Sequence, residues 1–157
     1  MQALIIYDTY FSNTEQIARA IGDSIGSGAD VTIVKVSEAT PEQVRGTNLL
    51  IVGSPTRAFR PSPAIAKFLK SIPRQGLTGV RVAAFDTGIS LDDVNPRLLK
   101  LLMKCFGYAA KPIAAKLVSK GGELAVPPEG FFVGDTKGPL KEGEVERARE
   151  WGWRVVG

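Results

Sequence analysis

The sequence predicts an α/β fold in which helices cover both faces of a doubly wound parallel sheet. Two observations lead to this prediction: apolar segments of strand length recur along the chain, and a helical pattern separates each one from the next. Strands that are buried on both faces are nearly continuous apolar runs, and right-handed crossovers place helices on both sides of the sheet. For five strands we expect the order 2-1-3-4-5, which creates a ligand site at the carboxyl ends of strands 1, 3 and 4.

Five segments of the sequence are interpreted as strands. The first three are almost purely apolar, and the fourth continues into polar residues at its carboxyl end. The fifth contains Pro127 and Pro128, which cannot donate hydrogen bonds to a neighbouring strand, so we expect it to be interrupted or to lie at an edge. In chain order the segments are 1–7, 31–36, 48–54, 79–88 and a part of 123–135.

Helical patterns occupy the intervals between these strands and the end of the chain. A short helix is predicted to begin at Pro41, after the N-cap residue Thr40, and a Ser-Pro pair opens the next helix. The longest pattern is expected to form two helices, broken near Gly107 and closed at Gly121. The predicted ranges are 14–26, a short helix from 41, 62–72, 92–122 and 141–156.

The composition is that of one globular domain. The chain has 157 residues, of which 44% are hydrophobic and 23% charged, and its mean hydropathy is +0.04. No apolar run reaches the roughly 20 residues that a membrane-spanning helix needs, and the N-terminus lacks the basic region of a signal peptide. We therefore expect a single domain over residues 1–157 and a cytoplasmic location.

Several kinds of chemistry are excluded by residues that the chain lacks. It has no histidine and only one cysteine, Cys105, in an apolar helical pattern typical of a small core residue. Histidine-dependent triads, the usual zinc sites and redox chemistry on a cysteine pair are therefore excluded, and any chemistry is expected to belong to a cofactor. The net charge of +4 comes from lysines and arginines spread along the chain, so no nucleic acid partner is predicted.

Polar side chains are concentrated in the turn after the first strand. Thr9, Ser12, Asn13 and Thr14 lie at the start of a helix, where free backbone N–H groups and the helix dipole bind anions. One residue such as Ser12 or Asn13 would be enough to cap the helix, so four polar residues in this short turn favour an anion site. The turn has no lysine and is not glycine-rich, which favours a single phosphate group over a nucleoside triphosphate, and the GxGxxG pattern of dinucleotide sites is absent.

Two further polar loops follow strands 3 and 4. The segment 53–63 is longer than the roughly two to six residues of an ordinary strand-to-helix connection, and it contains Arg57 and Phe59. Such a loop can place backbone amides and an aromatic ring along a flat ligand. The segment 85–93 contributes Asp86 and the residues after it. We expect both loops to meet the first turn at one edge of the sheet.

The segment TYFSNT, residues 9–14, resembles the phosphate-binding motif of the flavodoxin family, which is usually Ser/Thr-x-Ser/Thr-Gly-Asn-Thr. The loops after strands 3 and 4 take the places of the two loops that hold the isoalloxazine ring in that family. The segment 121–152 is similar to the C-terminal part of small bacterial and archaeal flavodoxins, so the resemblance covers nearly the whole chain. It implies a flavodoxin-like fold and FMN as the cofactor.

The resemblance also implies which residues bind FMN. Two positions depart from the motif, because Phe11 replaces a hydroxyl residue and Ser12 replaces glycine. The loop after strand 4 has no tyrosine to stack on the flavin, so either Phe59 takes that role or the ring is left more exposed. The residues implied for the phosphate are Thr9, Tyr10, Phe11, Ser12, Asn13 and Thr14, and those for the ring are Ser54, Pro55, Thr56, Arg57, Ala58 and Phe59 on one side and Asp86, Thr87, Gly88 and Ile89 on the other.

Three functions are left open by the sequence. The first is a flavodoxin-like carrier that moves electrons between redox partner proteins and needs no acid or base of its own. The second is an NAD(P)H-dependent FMN or quinone reductase of the same fold, in which Arg57 and Arg60 meet nucleotide phosphates. The third is a flavin-free module that binds a phosphate ligand or a protein, for which Phe11 and Ser12 are the evidence. A receiver domain of two-component signalling is excluded, because strand 3 ends in VGSP without a phosphoacceptor aspartate.

The charge of the chain differs from that of carrier flavodoxins, which are usually strongly acidic. This chain is basic, with a pI of 9.3. Arg57 and Arg60 beside a flavin are predicted to favour its anionic reduced form, by roughly 1 kcal/mol when they are partly exposed.

Overall fold

The computed structural model describes residues 1–90, 96–97 and 108–157. Its strands, in chain order, are β1 (Gln2–Tyr7), β2 (Asp30–Lys35), β3 (Leu49–Pro55), β4 (Arg81–Ile89), β5 (Glu123–Leu124) and β6 (Glu129–Val133). All strand pairs are parallel, and the sheet order is β2-β1-β3-β4-β5, with β6 also paired to β4. The predicted order is confirmed.

Two short strands occupy the fifth position of the sheet. β5 pairs with Arg81 and Val82 at the start of β4, whereas β6 pairs with residues 85–89 at its end. Pro127 and Pro128 lie in the gap between them, where neither can donate a hydrogen bond to β4. The predicted interruption is thus confirmed, and within residues 1–90 and 108–157 the five expected strands are six strands in five positions.

The helices of the described residues are α1 (Asn13–Ile25), α2 (Pro41–Val44), α3 (Pro63–Ser71), α4 (Ala110–Ser119) and α5 (Glu144–Val156), with a 3-10 turn at Val36–Glu38. Their ends follow the predicted signals. Thr40 forms a capping box with Gln43 at the start of α2, and Ser62 Oγ accepts a hydrogen bond from Ile65 N at the start of α3. After α4, Gly121 takes the left-handed conformation, with φ +99°.

The helical pattern predicted over 92–122 is described only in part. Its second half contains α4, whereas the break predicted near Gly107 and the core position predicted for Cys105 lie outside the described residues. Within the described ranges, no helix combines the length and the apolar character needed to cross a membrane.

Each face of the sheet carries its own apolar core. On one face, residues such as Leu50 pack under α3 and α4 together with Ile113. On the other face, α1 and α5 cover the sheet, and the buried Trp151 ring lies edge to face with Phe85 and Phe131, at centroid distances of 6.1 and 6.2 Å. Helices therefore cover both faces, as predicted.

Gly152 allows α5 to pack closely against α1. A Cβ atom at this position would overlap the Oγ atom of Ser24. The neighbouring Trp153 side chain is exposed, and its Nε1 donates a hydrogen bond to the carbonyl oxygen of Ser24 at 3.0 Å. These contacts support α1, the helix whose N-terminus forms part of the candidate site.

Candidate functional site

Loops from the carboxyl ends of four strands enclose one cavity, which we call the edge cavity. The loops after β1, β3 and β4 meet there, as the strand order predicts, and the segment at the end of β6 completes the wall. The lining residues are Thr9, Tyr10, Phe11, Asn13, Thr14, Pro55, Thr56, Arg57, Ala58, Thr87, Gly88, Ile89, Val133 and Thr136.

Four residues that the resemblance assigns to FMN do not line the edge cavity: Ser12, Ser54, Phe59 and Asp86. Ser54 is fully buried, and its Oγ accepts a hydrogen bond from Ser62 N at 2.8 Å, so it fixes the loop before α3 instead. The other twelve assigned residues do line the cavity. Their roles in binding FMN stay predictions.

Val133 and Thr136 are cavity residues that the sequence reasoning missed. They lie at the end of β6 and just after it, at the same edge of the sheet as the three predicted loops. The signal was available in principle, because the carboxyl end of every parallel strand faces the same edge. The two prolines before β6 made the position of that strand's end indefinite in the sequence.

The start of α1 presents several free hydrogen-bond donors to the edge cavity. Thr9 N donates to Asp8 Oδ1 at 2.9 Å, whereas the backbone N–H groups of residues 10–15 have no acceptor within the described residues. The Thr9 Oγ1 atom is buried and also has no partner among the described residues. A buried hydroxyl without a partner costs roughly 1–3 kcal/mol, so this arrangement fits a ligand oxygen at the helix start.

Hydrogen bonds between side chains and loops hold the walls of the cavity together. Thr14 Oγ1 and Thr87 Oγ1 lie 2.7 Å apart and link the turn after β1 to the end of β4. Asn13 Nδ2 donates to the carbonyl oxygen of Lys137 at 3.2 Å, which ties the start of α1 to the segment after β6. The side chains of Asn13 and Thr14 thus orient the loops, while their backbone N–H groups remain free for a ligand.

Ser12 occupies the glycine position of the phosphate motif and adopts a glycine-like conformation. Its φ and ψ angles are 69° and 2°, in the left-handed region, and its side chain makes no capping hydrogen bond. Side-chain capping by Ser12, the simpler interpretation of this residue, is therefore not observed. A residue with a Cβ atom holds this conformation at a cost of roughly 1 kcal/mol.

The loop after β3 contains a tight hairpin turn with Ala58 and Phe59 at its tip. Arg57 and Arg60 exchange two backbone hydrogen bonds of 3.0 and 2.9 Å, and the two tip residues have φ angles of 49° and 64°. Two consecutive positive φ angles are typical of a type I′ turn, which normally selects Asn and Gly. The Arg57 guanidinium lies over the ring of Tyr10, with Cζ 4.6 Å from the centroid.

Asp86 does not line the edge cavity and lies near the start of α4. Neighbouring side chains of a strand point to opposite faces, so Asp86 shares a face with the core under α4, where its Oδ2 accepts a hydrogen bond from Ala110 N at 2.8 Å. Asp86 is 1% exposed, and its burial raises the pKa of the carboxyl to about 7. The hydrogen bond from Ala110 N lowers this pKa, and the negative charge of Glu129 raises it by a smaller amount. Asp86 therefore caps α4 and is partly protonated near neutral pH.

The fold and the edge cavity define a class of protein. A doubly wound parallel sheet with free helix N–H groups at its switch point and aromatic residues beside them is a mononucleotide-binding α/β protein. Within that class, this chain belongs to the flavodoxin family, because the family model described as Flavodoxin matches residues 5–151. Members of this family bind FMN and transfer electrons.

Solved structures support the same fold. A flavodoxin from the domain Archaea is 20% identical, with a TM-score of 0.78 over 99% of this chain and 96% of that one. Oxidised flavodoxin 1 from Bacillus cereus is 18% identical, with a TM-score of 0.79 over 99% and 97%. Rubredoxin oxygen:oxidoreductase from Desulfovibrio gigas is 20% identical, with a TM-score of 0.74 over 99% of this chain but 35% of that protein. A search of curated protein sequences found no match.

Proposed function

We propose that this protein binds FMN in the edge cavity and carries electrons between redox partner proteins. The observation that supports this most directly is the buried hydroxyl of the cavity residue Thr9, which has no partner among the described residues. A phosphate oxygen at the start of α1 would accept its hydrogen bond together with those of the free backbone N–H groups.

Each group of cavity residues has a part in this proposal. Thr9 Oγ1 and the N–H groups of residues 10–15 hold the phosphate, and residues 55–58 and 87–89 flank the flavin ring. When bound, FMN supplies one-electron and two-electron redox chemistry. The chain supplies binding, and the hydrogen bond between Thr14 and Thr87 keeps the phosphate and ring sites in register.

The side chains of the cavity wall support a carrier. Among the described residues that line the cavity, the ionisable ones are Tyr10 and Arg57, and there is no carboxylate or lysine to serve as an acid or base. Electron transfer between proteins needs neither group. The cytoplasmic location and the single domain remain predictions from the sequence.

A reductase is the second candidate because Arg57 has no ion-pair partner among the described residues and is available for a nucleotide phosphate. Rapid bleaching of bound FMN by NADPH or NADH alone would identify a reductase. A carrier is bleached only by a reductase protein or by dithionite. A colourless protein that stays colourless after FMN is added would instead identify the flavin-free module.

Comparison of FMN with riboflavin tests the phosphate site. Fluorescence titrations of the flavin-free protein measure both affinities in the unmodified chain and in Thr9→Val, which keeps the shape of the side chain and removes the hydroxyl. Because a hydrogen bond to a charged group is worth roughly 1.5–3 kcal/mol, we expect Thr9→Val to weaken FMN binding by about tenfold or more. Riboflavin, which lacks the phosphate, should bind both proteins equally.

Thr32→Val is the matched control, since Thr32 is exposed on β2 and remote from the turn after β1. It should change neither affinity. Failure of the unmodified protein to bind FMN would contradict the proposed function. An equal loss of riboflavin and FMN binding in Thr9→Val would show that the Thr9 hydroxyl does not contact the phosphate.

A further inference from the structure

The mouth of the edge cavity exposes three large apolar side chains. Tyr10, Phe11 and Ile89 are 45%, 39% and 46% exposed, and all three line the same cavity. Exposed apolar groups gathered at one site, with aromatic residues among them, are typical of the centre of a protein interface. We call these three residues the apolar centre.

Three cations surround the apolar centre. The Arg57 Cζ atom is 4.6 Å from the centroid of the Tyr10 ring and 5.6 Å from that of Phe11, and Lys137 Nζ is 5.9 Å from the Phe11 ring. Arg60 is paired with Arg57 across the hairpin. Together with the apolar centre, Arg57, Arg60 and Lys137 form a surface that we call the basic rim.

No acidic side chain within the described residues pairs with these cations. Asp135 is exposed on the same segment as Lys137, but its Oδ1 accepts a hydrogen bond from Thr136 N. Asp8 is buried, and its Oδ1 accepts from Thr9 N. The described part of the rim therefore carries an excess of positive charge.

The hairpin holds two like charges together at a cost in stability. Arg57 and Arg60 are directly opposite residues of an antiparallel bridge, a position in which side chains of like charge destabilise the pair. The tip of this hairpin also uses positive φ angles at Ala58 and Phe59. The aromatic rings beneath Arg57 stabilise its guanidinium but leave its N–H groups free to bind carboxylates.

We propose that the basic rim is a docking surface for an acidic redox protein. Carboxylates of the partner pair with Arg57, Arg60 and Lys137, and its apolar groups cover Tyr10, Phe11 and Ile89. The proposal rests on the proposed function, because docking here places the partner at the mouth of the flavin cavity. A nucleotide fits this surface less well than a protein does, since an apolar centre ringed by cations matches the anatomy of a protein interface.

Equilibrium binding to two redox proteins of opposite charge tests the proposal. The probes are a plant-type ferredoxin, which is acidic, and a mitochondrial cytochrome c, which is basic, each titrated at low and at physiological ionic strength. We expect the FMN-loaded protein to bind ferredoxin more tightly than cytochrome c and to lose affinity for ferredoxin as salt is added.

Two charge-matched triple variants locate the binding surface. The rim variant removes all three cations of the basic rim, by Arg57→Gln, Arg60→Gln and Lys137→Gln together. It should weaken ferredoxin binding about tenfold at low ionic strength. The control variant removes the same charge from exposed positions of α3 and α4, by Lys67→Gln, Lys70→Gln and Lys116→Gln together. It should change the affinity for ferredoxin by less than about twofold. Ile89→Ser, titrated with FMN bound, should weaken ferredoxin binding without changing its dependence on salt, because it removes apolar contact and no charge.

Several results would overturn the proposal. Equal losses in the two triple variants, tighter binding of cytochrome c, or no effect of Ile89→Ser would each do so. A rim variant that impairs bleaching by NADPH but leaves ferredoxin affinity intact would make the rim a nucleotide site. FMN affinity is measured for every variant, so an absence of FMN binding would count against the proposed function alone, and ferredoxin titrations of the flavin-free protein would then decide whether the rim binds an acidic protein.

Discussion

Replacing Asp86 by Asn is expected to abolish a loss of stability that the unmodified chain undergoes between pH 5 and 8. Burial raises the pKa of Asp86 in the folded protein from 3.8 to about 7. Because the folded state holds the proton more tightly than the unfolded state, this contribution to stability is complete below about pH 4. It is lost as the pH rises through about 7.

The size of the effect follows from the pKa difference. A rise from 3.8 to about 7 spans about three pKa units, and each unit corresponds to about 1.36 kcal/mol, so the full effect is about 4 kcal/mol. About 1.5 kcal/mol of this is already lost at pH 5. The free energy of unfolding should therefore fall by about 2.5 kcal/mol between pH 5 and 8.

Urea unfolding measured at intervals over this range provides the assay, with the buried Trp151 as the fluorescent reporter. The chain has no histidine, so few other groups change their charge between pH 5 and 8. In Asp86→Asn, the amide oxygen can still accept the hydrogen bond from Ala110 N, which preserves the cap of α4. We expect the free energy of unfolding of this variant to be nearly constant.

Asp23→Asn is the control, because it removes an exposed carboxylate from α1 and should leave the pH dependence of the unmodified chain intact. Glu129→Gln should shift the loss to lower pH, since Glu129 contributes to the raised pKa of Asp86. If Asp86→Asn retained the full pH dependence, the assignment of the proton to this buried carboxyl would be wrong.

Three further variants test other features of the site and the fold. Ser12→Gly should raise the free energy of unfolding by roughly 1 kcal/mol in thermal or urea unfolding, because glycine holds φ +69° without strain; an equal gain in Ser12→Ala would contradict this reason. Gly152→Ala should lower the free energy of unfolding by roughly 1–3 kcal/mol, because the added Cβ overlaps Ser24 Oγ and separates α5 from α1. An unchanged midpoint of unfolding would show that the two helices adjust freely. In a redox titration with bound FMN, Arg57→Ala should lower the flavin potential by roughly some tens of millivolts, because the arginine favours the anionic reduced form. An unchanged potential in both Arg57→Ala and Arg60→Ala would contradict this charge effect.

The sheet order and most helix starts could be predicted because their determinants are local. Apolar runs of strand length mark β1 and β3, and Thr40, Pro41 and Gln43, within four residues of one another, supply the N-cap, the first helical position and the capping box of α2. The positions of the three loops then follow from the topology, because parallel strands carry all their carboxyl ends to the same edge.

Other features of the site depend on contacts that no local pattern contains. The hydrogen bond between Thr14 and Thr87 and the one from Asn13 to Lys137 join residues 73 and 124 positions apart. These hydrogen bonds link the side chains of Asn13 and Thr14 to neighbouring loops, while both residues also line the edge cavity. The resemblance places Asp86 in the ring site with its neighbours, whereas in the structure Asp86 does not line the edge cavity and its Oδ2 accepts a hydrogen bond from Ala110 N.

The break between β5 and β6 also marks the edge of the sheet as a place where the chain can be lengthened. Pro127 is exposed in this gap, and the strand pairings on either side of it are fixed separately to the two ends of β4. Extra residues placed there would lie outside both pairings, and closing a loop costs only about 0.6 kcal/mol more for each doubling of its length. We therefore expect the sheet to accept an added lobe or a fused peptide between β5 and β6 without a change of topology.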